Sequence, residues 1–229
     1  MSIDLGVFVS NIANIDSFGE MARKLGLSGF AISSSNNDPY WSLAENLIVY
    51  RRAVLHGKSI NSVRKQINNI RRKTMIVSVD LKSIDIANWA IDDKRIDLLT
   101  VDPTKENRLR ESTAHLASTS NICLEIQIAP LLKTTGLNRS KILKSYREAV
   151  STARDAGMDV VITSGATHPM GLRSPFAMAH IGILLGVDRA YAESAVGTIP
   201  MSIIERNMKK LQPEFVGSGI EILQKEEKR

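Results

Sequence analysis

Seven short apolar runs rich in β-branched residues recur along the chain, separated by stretches with helical periodicity. This alternation constrains the fold more than any other feature. The runs are IDLGVFV (3–9), GFAIS (29–33), LIVYRRAVL (47–55), TMIVSVD (74–80), DLLTV (97–101), ICLEIQI (122–128) and DVVIT (159–163). Strands that alternate with helices pair in parallel through right-handed crossovers. Runs that are apolar at nearly every position suit strands covered on both faces.

The intervening stretches carry helix signals. Asp16 is placed to cap a helix with Phe18, Met21, Ala22 and Leu25 on one face, and Gly26 stops it. Ser59 is placed to cap a second, with Ile60, Val63, Ile67 and Ile70 as its apolar stripe; Lys65 and Arg72 point away from that stripe, and Arg64 and Arg71 flank it. A third runs from Asn138 to Ala156 and is stopped by Gly157. After the seventh run only helical patterns follow, beginning with Ser174 as cap and Pro175 at the first helical position. No low-complexity linker divides the chain, so residues 1–212 read as one α/β domain and 213–229 as a charged tail expected to fray. A doubly wound open sheet and a closed barrel both satisfy this pattern. At 229 residues the length tips the reading only slightly to the barrel.

Aromatic residues make up 5% of the chain, so Ile, Leu, Val and Met must supply most of the core. Cys123 is the single cysteine, which excludes an internal disulfide and a multi-cysteine zinc site; within NICLEIQI it reads as a small buried apolar residue. The N-terminus lacks a basic segment before a long apolar one, and no stretch is long enough to span a bilayer. A cytoplasmic protein without membrane contact is expected.

The net charge is +6, and its distribution says more than its size. Between Glu45 and Asp80 there is no acidic residue, whereas Arg51, Arg52, Lys58, Arg64, Lys65, Arg71, Arg72 and Lys73 all fall there. Removing those eight from the chain's 30 Lys and Arg leaves 22 against 24 Asp and Glu. A second acid-free interval, Gln127 to Arg147, holds Lys133, Arg139, Lys141, Lys144 and Arg147. Either cluster alone reads as a solvated helix face; the two together point equally to a polyanionic partner such as nucleic acid.

Function in parallel α/β folds gathers at the carboxyl ends of the strands. In order those ends offer Ser10 and Asn11, Ser33 to Ser35, His56, Asp80, Asp102, Gln127 and Ser164. His56, Asp80 and Asp102 follow three consecutive strands, which makes a metal-dependent phosphoesterase the alternative function. Against it, none belongs to a spaced ligand motif, and both aspartates are equally placed to cap turns. Phosphoesterases on a similar barrel also carry an H-x-H pair where this chain reads DLGVFVSN. There is no G-x-S-x-G elbow, no G-x-x-x-x-G-K-[ST] loop and no G-x-G-x-x-G after a strand. His115 and His180 lie in helical patterns, and His168 sits in a turn. The segment SGATHPMGLRSP has phosphate-binding character, with small Ser164, Gly165 and Ala166 and then Arg173 beside a helix start; taken alone, a plain helix cap with a surface arginine explains it slightly better. A similar group, DPTKENRLRES, carries Lys105, Arg108 and Arg110. In a closed barrel both groups would share one rim.

IDLGVFV, IDLLTVDPTKENRLRES, CLEIQIAPLL followed by NRSKILKSYREAV, VITSGATHPMGLRSP and IPMSIIERN occur in an order and spacing that, from Ile3 to Asn207, resembles the ribonuclease P protein component 3 family of archaea. That family is related to a nuclear ribonuclease P subunit of eukaryotes. The resemblance implies a TIM-like α/β barrel of seven parallel strands with additional helices. It implies a subunit of the ribonucleoprotein that removes the 5′ leader from precursor tRNA, with hydrolysis carried out by the ribonuclease P RNA and its Mg2+. No catalytic residue, metal or cofactor is then expected on the protein itself. The implied partners are that RNA, precursor tRNA and other protein subunits, component 2 above all. Arg108 and Arg173 match the family's motif arginines and become the leading RNA contacts, with Lys105 and Ser174 behind them. The charge pattern adds Lys65, Arg71, Arg72 and Lys73. One departure is Ala177, where the family usually has an acidic residue.

Overall fold

The computed structural model describes residues 2–34, 38–57, 59–81, 83–104 and 108–212, together with the backbone of 215–217 and 220–221. All seven expected strands are present: β1 (Ile3–Val7), β2 (Gly29–Ile32), β4 (Leu47–Leu55), β5 (Ile76–Asp80), β6 (Leu98–Thr100), β7 (Cys123–Gln127) and β8 (Val160–Thr163). They pair in parallel in the order β1-β2-β4-β5-β6-β7-β8. The sheet then curls until β8 meets β1. Val7 bridges Ala166 in parallel, and the Phe8 amide donates to the Ala166 carbonyl at 2.8 Å. The fold is therefore a nearly closed, TIM-like barrel.

A further strand, outside the barrel order, was not anticipated. β3 (Tyr40–Ala44) pairs antiparallel with β4, and Asn46 makes the turn at φ 61°. Asparagine tolerates this left-handed conformation better than most residues.

The helices are α1 (Ile15–Lys24), α2 (Ile60–Ile70), α3 (Ile84–Asp92), α4 (Glu111–Ser120), α5 (Ala129–Lys133), α6 (Gly136–Asp155), α7 (Pro175–Leu184), α8 (Arg189–Val196) and α9 (Thr198–Leu211). Ser59 and Ser174 cap α2 and α7 as expected, accepting from the amides of Ser62 and Ala177. Asp16 does not cap α1; it lies within the first turn behind Asn14, where a carboxylate still favours the helix dipole. α6 begins at Gly136, two residues before the expected start. Within the tail, β9 (Phe215–Gly217) and β10 (Ile220–Glu221) pair antiparallel, and the other positions of 213–229 lie outside the described residues. No helix among the described residues is long and apolar enough to cross a membrane.

The barrel interior is stacked in layers spaced two residues apart along the strands, as alternation of side-chain direction requires. The lowest contains Ile76, Leu98, Cys123 and Val161, which cluster with Ile203 and Ile204 of α9, so that α9 closes the amino-terminal mouth. Asp97 fastens this lid. Its carboxylate accepts from the Val77 amide at 2.9 Å, Asn207 Nδ2 at 2.8 Å and Arg206 Nη2 at 3.1 Å, with Arg71 Nη1 at 3.6 Å.

Two residues further along lies a polar layer of Arg52, Ser78, Thr100, Glu125 and Thr163. Arg52 is 2% exposed and Glu125 fully buried. They pair fork to fork at 2.5 and 2.6 Å, and Arg52 also donates to the Leu5 carbonyl and Ser78 Oγ. The hydroxyls of Thr100 and Thr163 donate to the two oxygens of Glu125 at 2.5 and 2.9 Å. Burial pushes the Glu125 carboxyl up, but the Arg52 charge and these hydrogen bonds outweigh it and hold it below its ordinary value. Gly6 has no side chain because a Cβ there would collide with Thr163 and Glu125.

Candidate nucleic-acid interface

The turn after β8 is spent on closing the barrel rather than left open for an anion. The Ser164 amide donates to Asp4 Oδ1 at 3.1 Å, and the Ala166 amide donates to Ser164 Oγ at 3.0 Å. Gly165 adopts φ +66°, and a Cβ there would press on Ala129 and Gln127. The small residues serve this close approach. The Ser164 and Ala166 amides are thus already engaged within the fold.

The candidate side chains gather on the carboxyl-terminal rim, where the loops after β6, β7 and β8 lie side by side. Arg173 is half-buried, and its Nη1 donates to the Met170 and Leu172 carbonyls at 2.8 and 2.7 Å. Ser174 follows as the cap of α7, accepting from the Ala177 amide at 3.2 Å. Lys133, at the end of α5, reaches Thr167 Oγ1 at 3.4 Å and so stands against the same loop. Arg108 leads into α4, is 75% exposed and pairs with Glu148 at 3.1 Å; Lys144 shares that carboxylate at 3.8 Å. Lys133 and Lys144 of the second acid-free interval thus stand beside the segments that carry the two motif arginines. Glu148, one position beyond that interval, is the neighbour a charge count missed. Lys105 lies outside the described residues.

The first basic cluster lies elsewhere. Arg71, Arg72 and Lys73 immediately precede β5 and stand at the amino-terminal end of the barrel, and Lys65 is exposed midway along α2. Arg72 and Lys73 are exposed, but Arg71 is turned inward, donating to the Thr74 and Met75 carbonyls and to Asn207 Oδ1 beside Asp97. Arg52, counted with the cluster in the sequence, is the buried partner of Glu125 and adds no charge to the surface. Alternation in a parallel strand cannot by itself say which of two adjacent arginines points inward, and Glu125 is 73 residues away.

At the centre of the carboxyl-terminal mouth, the third interior layer surrounds an open cleft of about 280 Å³. It is lined by Phe8, Val54, His56, Asp80, Asp102 and Gln127, among others. His56, Asp80 and Asp102 do meet there, with His56 Nδ1 3.4 Å from Asp80 Oδ2. Asp102 acts as a turn cap, its Oδ1 accepting from the Thr104 amide and hydroxyl at 3.0 and 2.6 Å. Among the described residues no three His, Cys, Asp or Glu side chains are arranged to hold a metal ion. The other histidines and the cysteine have local roles: His168 accepts from the Met170 amide, His180 stacks on Phe176, His115 is exposed, and burial, reinforced by Asp159, pushes the Cys123 thiol up to about 12.

These features define a TIM-like barrel that offers a cation-bearing rim around a recessed, acceptor-lined mouth. The chain belongs to the RNase P subunit p30 family, whose model matches residues 1–212. It is 26% identical over 216 residues to ribonuclease P protein component 3 of Methanosarcina barkeri, covering 92% of this chain and 90% of that one. The component 3 protein of Methanococcus maripaludis is 27% identical over 179 residues, or 77% and 76% of the two chains. Among solved structures, a chain of an archaeal ribonuclease P determined with mature tRNA superposes with a TM-score of 0.80 at 20% identity, covering 99% of this chain and all of that one. A. niger ochratoxinase shares only the architecture, with a TM-score of 0.52 at 11% identity over 88% and 71% of the two chains.

Proposed function

We propose that this chain is a noncatalytic, RNA-binding subunit of a ribonuclease P ribonucleoprotein. It supports the RNA component as that RNA removes the 5′ leader from precursor tRNA. The observation that carries this reading is the convergence of Arg108, Lys144, Lys133 and Arg173 on one rim of the barrel. Family membership and the similarity to an archaeal ribonuclease P chain support it independently. Arg108 and Arg173, with Ser174 beside them, hold backbone phosphates; Lys105 belongs to the same loop in sequence. Lys65, Arg72 and Lys73 form a separate patch for RNA that wraps the barrel.

The energetics fit an exchangeable contact. An exposed pair such as Arg108–Glu148 is worth about 0–1 kcal/mol, so RNA phosphate displaces Glu148 at little cost. Each phosphate contact then adds about 0.7–0.9 to the salt slope without reading sequence. Mg2+ is supplied to the reaction by the RNA, and the protein works in the cytoplasm beside other subunits such as component 2.

Reconstitution from purified RNA and proteins tests the assignment. Arg173→Ala and Arg108→Ala should weaken precursor tRNA cleavage most at low Mg2+. Unchanged activity across the titration removes these contacts. Chelator-sensitive phosphoester hydrolysis by the isolated chain, lost in His56→Ala, overturns the noncatalytic role.

A further inference from the structure

We propose that the cleft at the carboxyl-terminal mouth is a pocket for a single unstacked nucleobase of the bound RNA, with guanine preferred. The inference rests on the RNA-binding role proposed above and adds base recognition to it.

Charge changes sign over a short distance here. The rim carries Arg108, Lys133 and Arg173, whereas the cleft inside it presents the carboxylates of Asp80 and Asp102. A phosphate is attracted to the first and repelled by the second. A nucleotide satisfies both when its phosphate stays outside and its base turns in. Volume agrees: about 280 Å³ falls just below the ~300–1,000 Å³ typical of pockets for whole drug-sized ligands, leaving room for one heteroaromatic ring system.

The lining fits a base better than a sugar or an ion. Phe8 supplies an aromatic wall, with Val54, Val101, Pro103 and Pro130 as apolar neighbours, and unpaired RNA bases are commonly held by stacking on such a side chain. Asp102 and Asp80, the latter 3.4 Å from His56, add carboxylate acceptors. Asp102 Oδ2 accepts no hydrogen bond among the described residues, because Thr104 is bound through Oδ1. Gln127 spends one Nε2 hydrogen on Glu125 at 3.4 Å and keeps its carbonyl oxygen and a second hydrogen to offer. That orientation is set from below by the buried Arg52–Glu125 layer, so the floor is preorganised. An acceptor-lined pocket selects the base whose Watson–Crick edge is richest in donors. Guanine presents an imino N–H beside an amino group; adenine and cytosine pair an amino group with an acceptor, and uracil has one imino N–H between two carbonyls.

The test uses the full chain and ten-nucleotide oligouridylates carrying G, A, C or U at one central position, with affinity read by fluorescence anisotropy at fixed salt. The G-containing oligomer should bind about tenfold more tightly than the all-U one. Asp102→Asn and Phe8→Leu should each erase that preference while leaving the salt slope unchanged; thermal melts establish that both remain folded. Arg173→Ala should do the converse, weakening all four oligomers equally and flattening the salt slope. Equal affinity for the four oligomers, or a preference untouched by Asp102→Asn and Phe8→Leu, refutes the pocket while leaving phosphate binding intact. Absence of binding to every oligomer instead removes the RNA-binding reading on which the pocket rests.

Discussion

Replacing Arg52 with Met tests the polar layer at the heart of the barrel. The substitution removes both bonds to Glu125, at 2.5 and 2.6 Å, and leaves a fully buried carboxylate supported only by the hydroxyls of Thr100 and Thr163 and a long contact from Gln127. Breaking one side of a buried pair costs about 3–5 kcal/mol. For a chain of this size that corresponds to a fall in melting temperature of roughly 6–20 °C. Glu125→Gln keeps shape and one acceptor but strands the Arg52 charge, for a loss of about 3 kcal/mol. The double variant strands neither charge, so its loss should fall short of the sum by about 2–3 kcal/mol. Urea and thermal unfolding followed by circular dichroism at pH 7 measure all four corners of the cycle.

The pH dependence supplies a second check. In the native protein the Glu125 carboxyl is held below its ordinary value, so its contribution is present above the unfolded-state pKa of about 4.3 and is lost as pH falls toward the folded one. Without Arg52, burial dominates and the folded value rises above the unfolded one. The penalty of Arg52→Met should then be largest at pH 7 and shrink toward pH 5. Additive single losses, or a penalty independent of pH, would refute the reasoning.

Two further outcomes are expected. Burial pushes the Asp4 carboxyl above its ordinary value despite bonds from Ser164 and Gly6, so its contribution is present at low pH and lost as pH rises; Asp4→Asn, which keeps the acceptor for both amides, should melt no lower than the parent at pH 7, a result thermal scans can check. The Cys123 thiol, pushed up to about 12 and 5% exposed, should react with a disulfide reagent at pH 8 only in step with unfolding, its labelling rate rising with urea as the circular dichroism signal falls.

The barrel strands were legible because apolar β-branched runs covered on both faces leave a signal in composition alone. β3 left none: Tyr40–Ala44 lies partly exposed on the outside of the sheet, and its pairing depends on the left-handed Asn46. The rim could be anticipated once the loops after β6 and β8 were placed at the same end of parallel strands. What the charge pattern could not show is which cations face inward. Arg52 and Arg71 read like their neighbours, yet each is satisfied by a carboxylate far away in sequence, Glu125 or Asp97. The SGATH turn admits more than one reading in sequence. Small residues signal close approach of something, and here it is the opposite edge of the barrel.

The way α9 stoppers the amino-terminal mouth bears on how this polypeptide is made. Contacts that seal the molecule join Asp4 to Ser164 and Asp97 to Asn207, separations of 160 and 110 residues. On a ribosome, β1 and β8 remain raw sheet edges until Ala166 has emerged, and the oily bottom layer stays uncovered until Ile204 follows. Such long-range closure is slow and leaves nascent chains sticky. Growing cells at high synthesis rates should therefore expose a chaperone-binding interval that ends abruptly when α9 clears the exit tunnel.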